Sequence, residues 1–377
     1  MIDYFAQSLK NHAEPRGKFT IQSKFPLNSA DDLSIAYTPG VAAVCEAIHE
    51  RVERAYPLTM KGNSVAVLSD GSSVLGLGNI GPEAALPVME GKAILFKEFA
   101  DIDAIPIVVN TSSAEELIAV ARAIAPTFGG INLEDVGAPM CFEVERALQS
   151  LSIPVFHDDQ HGTAIVARAA IENACRISGK RMDELTVVIN GAGAAGTAIA
   201  KMLRCVGHDA DHCTPVKEME ILQFSNHANR TGTVHEALEG ADVFVGVSRG
   251  DLLDEDDIRR MADDPIILAM ANPIPEIMPD RALAGGALVV GTGRSDFPNQ
   301  VNNVRVFPGI FRGALDAGAT SITERMKMAA VEALAHSVED VLRDKILPNP
   351  LDKSVAPRIA AAVAEAAVAD GVARNLG

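Results

Sequence analysis

The run Thr186-Val187-Val188-Ile189-Asn190 leads directly into Gly191-Ala192-Gly193-Ala194-Ala195-Gly196 and an apolar stretch through Leu203, and it constrains this chain more than any other feature. β-Branched residues favour a strand, and the glycine spacing after it reads as a turn into a helix. Gly191 permits the tight turn, Gly193 lets the backbone approach a pyrophosphate, and Gly196 lets the helix lie against the strand. Amides at the start of such a helix face anions. A bare glycine pattern says little, but a strand before it and a helix after it predict a dinucleotide site along residues Gly191, Ala192, Gly193, Ala194, Ala195 and Gly196.

The acidic residue that should hold the ribose about 20 residues further on is indistinct. The chain there reads Gly207-His208-Asp209-Ala210-Asp211-His212-Cys213-Thr214-Pro215, with Asp209 and Asp211 as the candidates, so NAD and NADP both remain open. His208, His212 and Cys213 are crowded into one turn with no distant partner, and a polar loop describes them better than a transition-metal site.

At 377 residues and 48% hydrophobic composition the chain is long enough for two cored domains. Up to residue 155, helices such as Ser113 to Ala125 alternate with short apolar strands at Ser64 to Leu68, Ala104 to Val109 and Gly130 to Leu133, which predicts an α/β domain with parallel strands. Residues 156–377 form the second unit. It opens with a helix from about Ala164 to Ile177, passes through the glycine turn, and adds strands at Ala241 to Gly246 and Pro265 to Met270, a doubly wound Rossmann-type pattern. Beyond Phe311 the chain reads as helical, with an Ala-rich stretch from Pro357 to Ala373 expected to pack back on the body. In both units the chemistry is expected at the carboxyl ends of the strands.

Net charge is −17, so a nucleic-acid backbone would be repelled and a dicarboxylate would need local compensation from a metal ion or helix ends. No apolar run reaches membrane-spanning length, and Met1 to Phe5 does not read as a targeting segment. Cys45, Cys141, Cys175, Cys205 and Cys213 are scattered without a C-x-x-C pair, which fits reduced thiols and a cytoplasmic location.

Two acidic pairs stand where strands finish: Glu134-Asp135 after Ile131-Asn132-Leu133, and Asp158-Asp159 after Ile153-Pro154-Val155-Phe156. Either pair alone would pass as a solvated loop or a helix cap. Together, at the ends of two strands and without thiolates, they point to Mg²⁺ or Mn²⁺ rather than zinc. His157 to Thr163 reads as a polar loop preceding a helix, with His157 and His161 structural rather than ligating.

Five further stretches complete a pattern: Tyr37-Thr38-Pro39-Gly40-Val41-Ala42, Leu75-Gly76-Leu77-Gly78-Asn79-Ile80-Gly81, Glu90 to Lys97, Ala271-Asn272-Pro273-Ile274-Pro275-Glu276, and Gly291-Thr292-Gly293-Arg294-Ser295-Asp296 leading to Asn302-Asn303 and Phe307-Pro308-Gly309. With the two acidic motifs and the glycine turn, in this order and spacing, the chain resembles the malic enzyme family in its compact form over nearly its whole length.

The resemblance implies oxidative decarboxylation of malate to pyruvate and carbon dioxide, with reduction of NAD or NADP, through oxaloacetate and enolpyruvate. It assigns Glu134, Asp135 and Asp159 to the metal, Tyr37 and Lys92 to acid and base chemistry, and Asp158 to a neighbouring carboxylate. Asn272 and Asn303 would contact malate, and Ser248 and Asn272 would add to the cofactor contacts. A homodimer is implied as well. Where one branch of the family has an arginine for a substrate carboxylate, just before the Leu-Gly-Leu-Gly loop, this chain has Ser72-Ser73.

Two positions need two groups, a base at the malate hydroxyl and an acid at carbon three, so Lys92, depressed in pKa beside a cation, is expected as the base and Tyr37 as the acid. Another two-domain dehydrogenase would leave the carboxylates without work. A dinucleotide-sensing protein without catalysis would leave Tyr37 and Lys92 without work as well.

Overall fold

The computed structural model describes residues 3–14, 16–74, 76–204, 225–226 and 231–374; the segment 207–215, with its possible ribose partners, lies outside them. Two four-stranded, all-parallel sheets organise the chain. The first is built from β1 (Ser64–Ser69), β2 (Asp103–Val108), β3 (Gly130–Leu133) and β4 (Val155–His157) in the order β2-β1-β3-β4. The second holds β5 (Val187–Asn190), β6 (Val243–Gly246), β7 (Ile266–Ala269) and β8 (Val289–Thr292) in chain order. β1, β3, β6 and β7 are buried at every position. Their continuous Val, Ile, Leu and Ala content suits strands covered by helices on both faces.

The helix Asp158–Ser178 joins the two halves, starting six residues before the expected Ala164. His157 caps it, its Nδ1 accepting from Gln160 N at 3.3 Å, and Asp158 and Asp159 occupy the first turn, where the helix dipole favours negative charge. What read as a polar loop is therefore helix, because local polarity looks the same in a loop and in a capped first turn. From Ala164 to Ile171 the helix is buried on every side, and its alanines let the helices Ala194–Arg204 and Glu324–Ala335 pack close.

The division at residues 155 and 156 falls inside β4, whose Phe156 pairs with Asn132 of the first sheet. The C-terminal helices do pack back, and they core the first half as well as the second. Phe307 and Phe311 of the helix Phe307–Asp316 meet Phe96 edge-on at centroid distances of 4.8 and 5.4 Å. The helix Val355–Ala369 lies across Gly309 and Gly313, where a Cβ would meet Ala356 O and Ala360 O. By contrast, the helices Tyr4–Ala13, Ala30–Ala36 and Val41–Glu50 bury no side chain.

Candidate active site

Lys92 lies in the helix Pro82–Ala100, and its Nζ is 2.6 Å from Asp158 Oδ2 and 2.8 Å from Glu134 Oε1. The Phe307 ring centroid is 4.3 Å from the same nitrogen. Glu134 and Asp135 follow β3 and Asp158 follows β4, so parallel pairing of those strands delivers both acidic pairs to one edge. Asp135 has a left-handed φ of 54°, a region Asp tolerates better than most residues, and its amide donates to Asp159 Oδ2 at 2.9 Å. One carboxylate oxygen from each of Glu134, Asp135 and Asp159 lies within 4.8 Å of the other two.

Four buried or half-buried carboxylates thus surround one ammonium, an excess of three negative charges when all are ionised. Burial pushes Glu134 up to about 7 and Asp158 and Asp159 up to about 6, against the pull of Lys92. Burial alone would lower Lys92, but Asp158, Glu134 and Asp159 outweigh it and hold the ammonium well above its ordinary range. The expected depression of Lys92 therefore does not arise from this side-chain cluster, where negative charge dominates. A divalent cation would cancel much of that excess. The donors are all oxygens, which suits a hard ion. Asp158 Oδ1 and Asn132 Oδ1 are also buried without hydrogen-bond partners, so polar capacity is left over beside the cluster.

Ser72 and Ser73 brace the loop that follows β3. Ser72 Oγ donates to Asp70 Oδ1 at 2.7 Å and accepts from Gly137 N at 2.8 Å, and Ser73 N donates to Asp135 O at 3.0 Å. The second half reaches the same place through two turns. A Cβ on Gly162 would lie 1.8 Å from Asp158 Oδ1 and 3.0 Å from Asn303 Cβ, so Asn303 stands beside Asp158. Asn272 follows β7, with its carbonyl against Gly76 of the first half and its amide nitrogen against Gly293.

The glycine turn has the expected geometry. Gly191 has φ of 129°, and a Cβ on Gly196 would fall 1.8 Å from Gly191 O, whereas a Cβ on Gly193 would meet open space. Helix Ala194–Arg204 begins at Ala194, which packs on the apolar cluster of the first half. Ser248 is joined to Asn190 through its hydroxyl, and its amide donates to Glu276 Oε1 at 3.0 Å.

Three residues of the site carried no role in the sequence reading. Asn132 Nδ2 holds Glu134 Oε2 at 2.8 Å, and buried Glu276 ties Ser248 N to Ala271 N. Glu145, on the helix Met140–Leu148, receives three hydrogen bonds from residues around Asp158 and Asp159. Asn132 and Glu276 stood inside recognisable motifs, which was the available signal; Glu145 looks like an ordinary polar position of an amphipathic helix. Tyr37 stands apart. It ends the helix Ala30–Ala36 at 67% exposure, and among the described residues no hydrogen bond joins its hydroxyl to Lys92.

Two parallel α/β halves, meeting between a dinucleotide turn and a lysine among carboxylates, define a nicotinamide-dependent oxidoreductase for a small polar substrate. The family pattern "Malic enzyme, N-terminal domain" matches residues 16–116, and "Malic enzyme, NAD binding domain" matches 160–221 and 216–368. The chain is 53% identical to the bifunctional malic/malolactic enzyme of Bacillus subtilis, over 98% of this chain and 94% of that protein. It is 52% identical to the NAD-dependent malic enzyme of Geobacillus stearothermophilus, over 95% and 78%. The crystal structure of malic enzyme from Pyrococcus horikoshii superposes with a TM-score of 0.93 at 44% identity, covering 98% of this chain and 92% of that one. The chain belongs to the malic enzyme family and is an oxidoreductase acting on malate.

Proposed function

We propose that this chain oxidises malate at carbon two and decarboxylates the resulting oxaloacetate to pyruvate, with NAD⁺ or NADP⁺ as hydride acceptor and Mg²⁺ or Mn²⁺ on Glu134, Asp135 and Asp159. The observation that carries the reading is the cluster of Lys92 with Glu134 and Asp158 beside that carboxylate triad. A bound ion there would polarise the substrate's oxygens and offset its charge. Lys92 takes the hydroxyl proton as hydride leaves carbon two. To do so it must first release its own proton, and a divalent cation on Glu134, Asp135 and Asp159 would favour that release by offsetting the negative charge that now holds the ammonium. Asn272 and Asn303 hold the substrate from the second half, and the backbone from Gly191 to Gly196 holds the pyrophosphate. After carbon dioxide leaves, Tyr37 delivers the final proton to carbon three of enolpyruvate.

Tyr37 requires a way into the site. Its segment exposes Phe5, Ile21, Phe25, Leu27, Leu33 and Ile35 together with Tyr37 itself, apolar surface that a partner could cover. The reading is a homodimer in which a second copy covers this surface and each copy supplies Tyr37 to the other's Lys92. Free Cys45, Cys141 and Cys175 support a cytoplasmic location, and no helix among the described residues is long and apolar enough to cross a membrane. Nucleic acid is no part of the reading, given a net charge of −17. The test is absorbance of reduced nicotinamide formed from malate, Mn²⁺ and either NAD⁺ or NADP⁺, with pyruvate measured alongside. Turnover abolished by a chelator and restored by Mn²⁺ is expected; reduction without pyruvate would overturn the reaction, and full activity after chelation would overturn the metal.

A further inference from the structure

Glu145 is a buried carboxylate that none of these steps uses. Its Oε1 accepts from His161 Nε2 at 2.8 Å and from His157 N at 3.3 Å, and its Oε2 accepts from Gln160 Nε2 at 3.1 Å. These three donors bracket Asp158 and Asp159 at the cap and first turn of the helix Asp158–Ser178. From the opposite side, Lys327 of the helix Glu324–Ala335 reaches His161 Nδ1 at 3.2 Å and pairs with Glu324 at 2.7 Å. Burial would raise Glu145, yet His161 and Lys327 hold it down at about 2. The carboxylate is therefore a charged acceptor, and its bond to His161 Nε2 at 2.8 Å is the short one of the three.

Among the described residues the Asp159 carboxylate receives a hydrogen bond from Asp135 N and lies 3.9 Å from His157 Nε2, and its side chain is one-third exposed. Its direction is otherwise set by the backbone of the helix's first turn, which is the part Glu145 grips. We propose that Glu145, with His161 and Lys327, is the positioning residue of the metal centre, setting the first turn of the helix Asp158–Ser178 and thereby the approach of Asp159 to Glu134 and Asp135. The proposal rests on the reading of those three carboxylates as metal ligands. It also ties the metal centre to the C-terminal helices, since Lys327 comes from a helix that follows the second sheet.

The experiment measures Mn²⁺ binding by electron paramagnetic resonance, and NADH and NADPH binding by fluorescence, in dinucleotide-free wild type, Glu145→Gln and Lys327→Met. Loss of an orienting partner typically weakens metal affinity about 10- to 100-fold. Both variants are expected to show such a loss while retaining wild-type dinucleotide affinity. If the groups acted only through their charge, removing the carboxylate would weaken Mn²⁺ binding and removing the ammonium would strengthen it. Opposite signs, or unchanged Mn²⁺ affinity in both, would overturn the proposal, as would an equal loss of dinucleotide binding. Should Glu145→Gln fail to fold, Lys327→Met decides by itself, since weakening supports the proposal and tightening or no change overturns it. A wild type that binds no Mn²⁺ overturns the metal reading and this inference together, a result distinct from normal binding in all three proteins.

Discussion

Lys92 gains its meaning from what surrounds it. In sequence it is one lysine among 33 basic residues; in the structure it is the ammonium that two carboxylates clamp within 2.8 Å. Lys92→Ala should lower malate oxidation about 10²- to 10⁴-fold, the usual worth of a positioned base, with dinucleotide binding intact; retained turnover in stopped-flow kinetics would remove it from the chemistry. Glu145 makes a second prediction, about pH. Its folded pKa of about 2 lies below its ordinary 4.5, so its stabilisation is fully present above about pH 4.5 and is lost as pH falls toward 2. Wild type should exceed Glu145→Gln in stability by about 3 kcal/mol near neutrality, from roughly 2.5 pKa units at 1.36 kcal/mol each, and the gap should close in acid. Denaturant titrations of both proteins from pH 7 to pH 3 measure it, and a gap independent of pH would assign the stabilisation to something other than this charge.

Two glycines sit where an element ends and the site begins. Gly162 is helical and needs no unusual backbone angle, but it leaves the room that Asp158 Oδ1 occupies, 1.8 Å from where a Cβ would stand. Gly162→Ala should drive Asp158 off Lys92 and depress turnover, with dinucleotide affinity unchanged; wild-type turnover would show that the helix can shift to make room. At Gly193 a Cβ would enter open space, so the position costs the folded protein little and matters only when a pyrophosphate approaches. Gly193→Val should therefore keep its melting temperature and lose NADH or NADPH binding, read by fluorescence. Normal binding would move the cofactor elsewhere.

In the proposed homodimer a second copy would cover the exposed apolar residues of the N-terminal segment and Tyr37, which is 67% exposed. Tyr37→Phe, impaired in the final protonation, and Lys92→Ala, impaired in oxidation, should complement in pyruvate formation when dissociated, mixed and reassembled. If Tyr37 works on the other copy's Lys92, each mixed dimer holds one intact site, and random mixing restores about a quarter of wild-type activity. Mixtures as inactive as their parents would place Tyr37 on its own chain's Lys92.

The strands of both sheets apart from β8, the glycine turn and the acidic pairs were legible in sequence because each rests on neighbours along the chain: β-branched runs, a glycine spacing, carboxylates where an apolar run stops. β8 did not stand out because its second half, Gly291-Thr292, belongs to the glycine-containing motif that runs on to Asp296. The helical state of Asp158 to Thr163, the raised pKa of Lys92 and the hydrogen bonds of Ser72 and Glu145 were decided by the tertiary structure. Each depends on a partner far along the chain, such as Lys92 on Asp158 or His161 on Lys327, and a local pattern carries no record of which distant charges folding will bring within hydrogen-bonding reach.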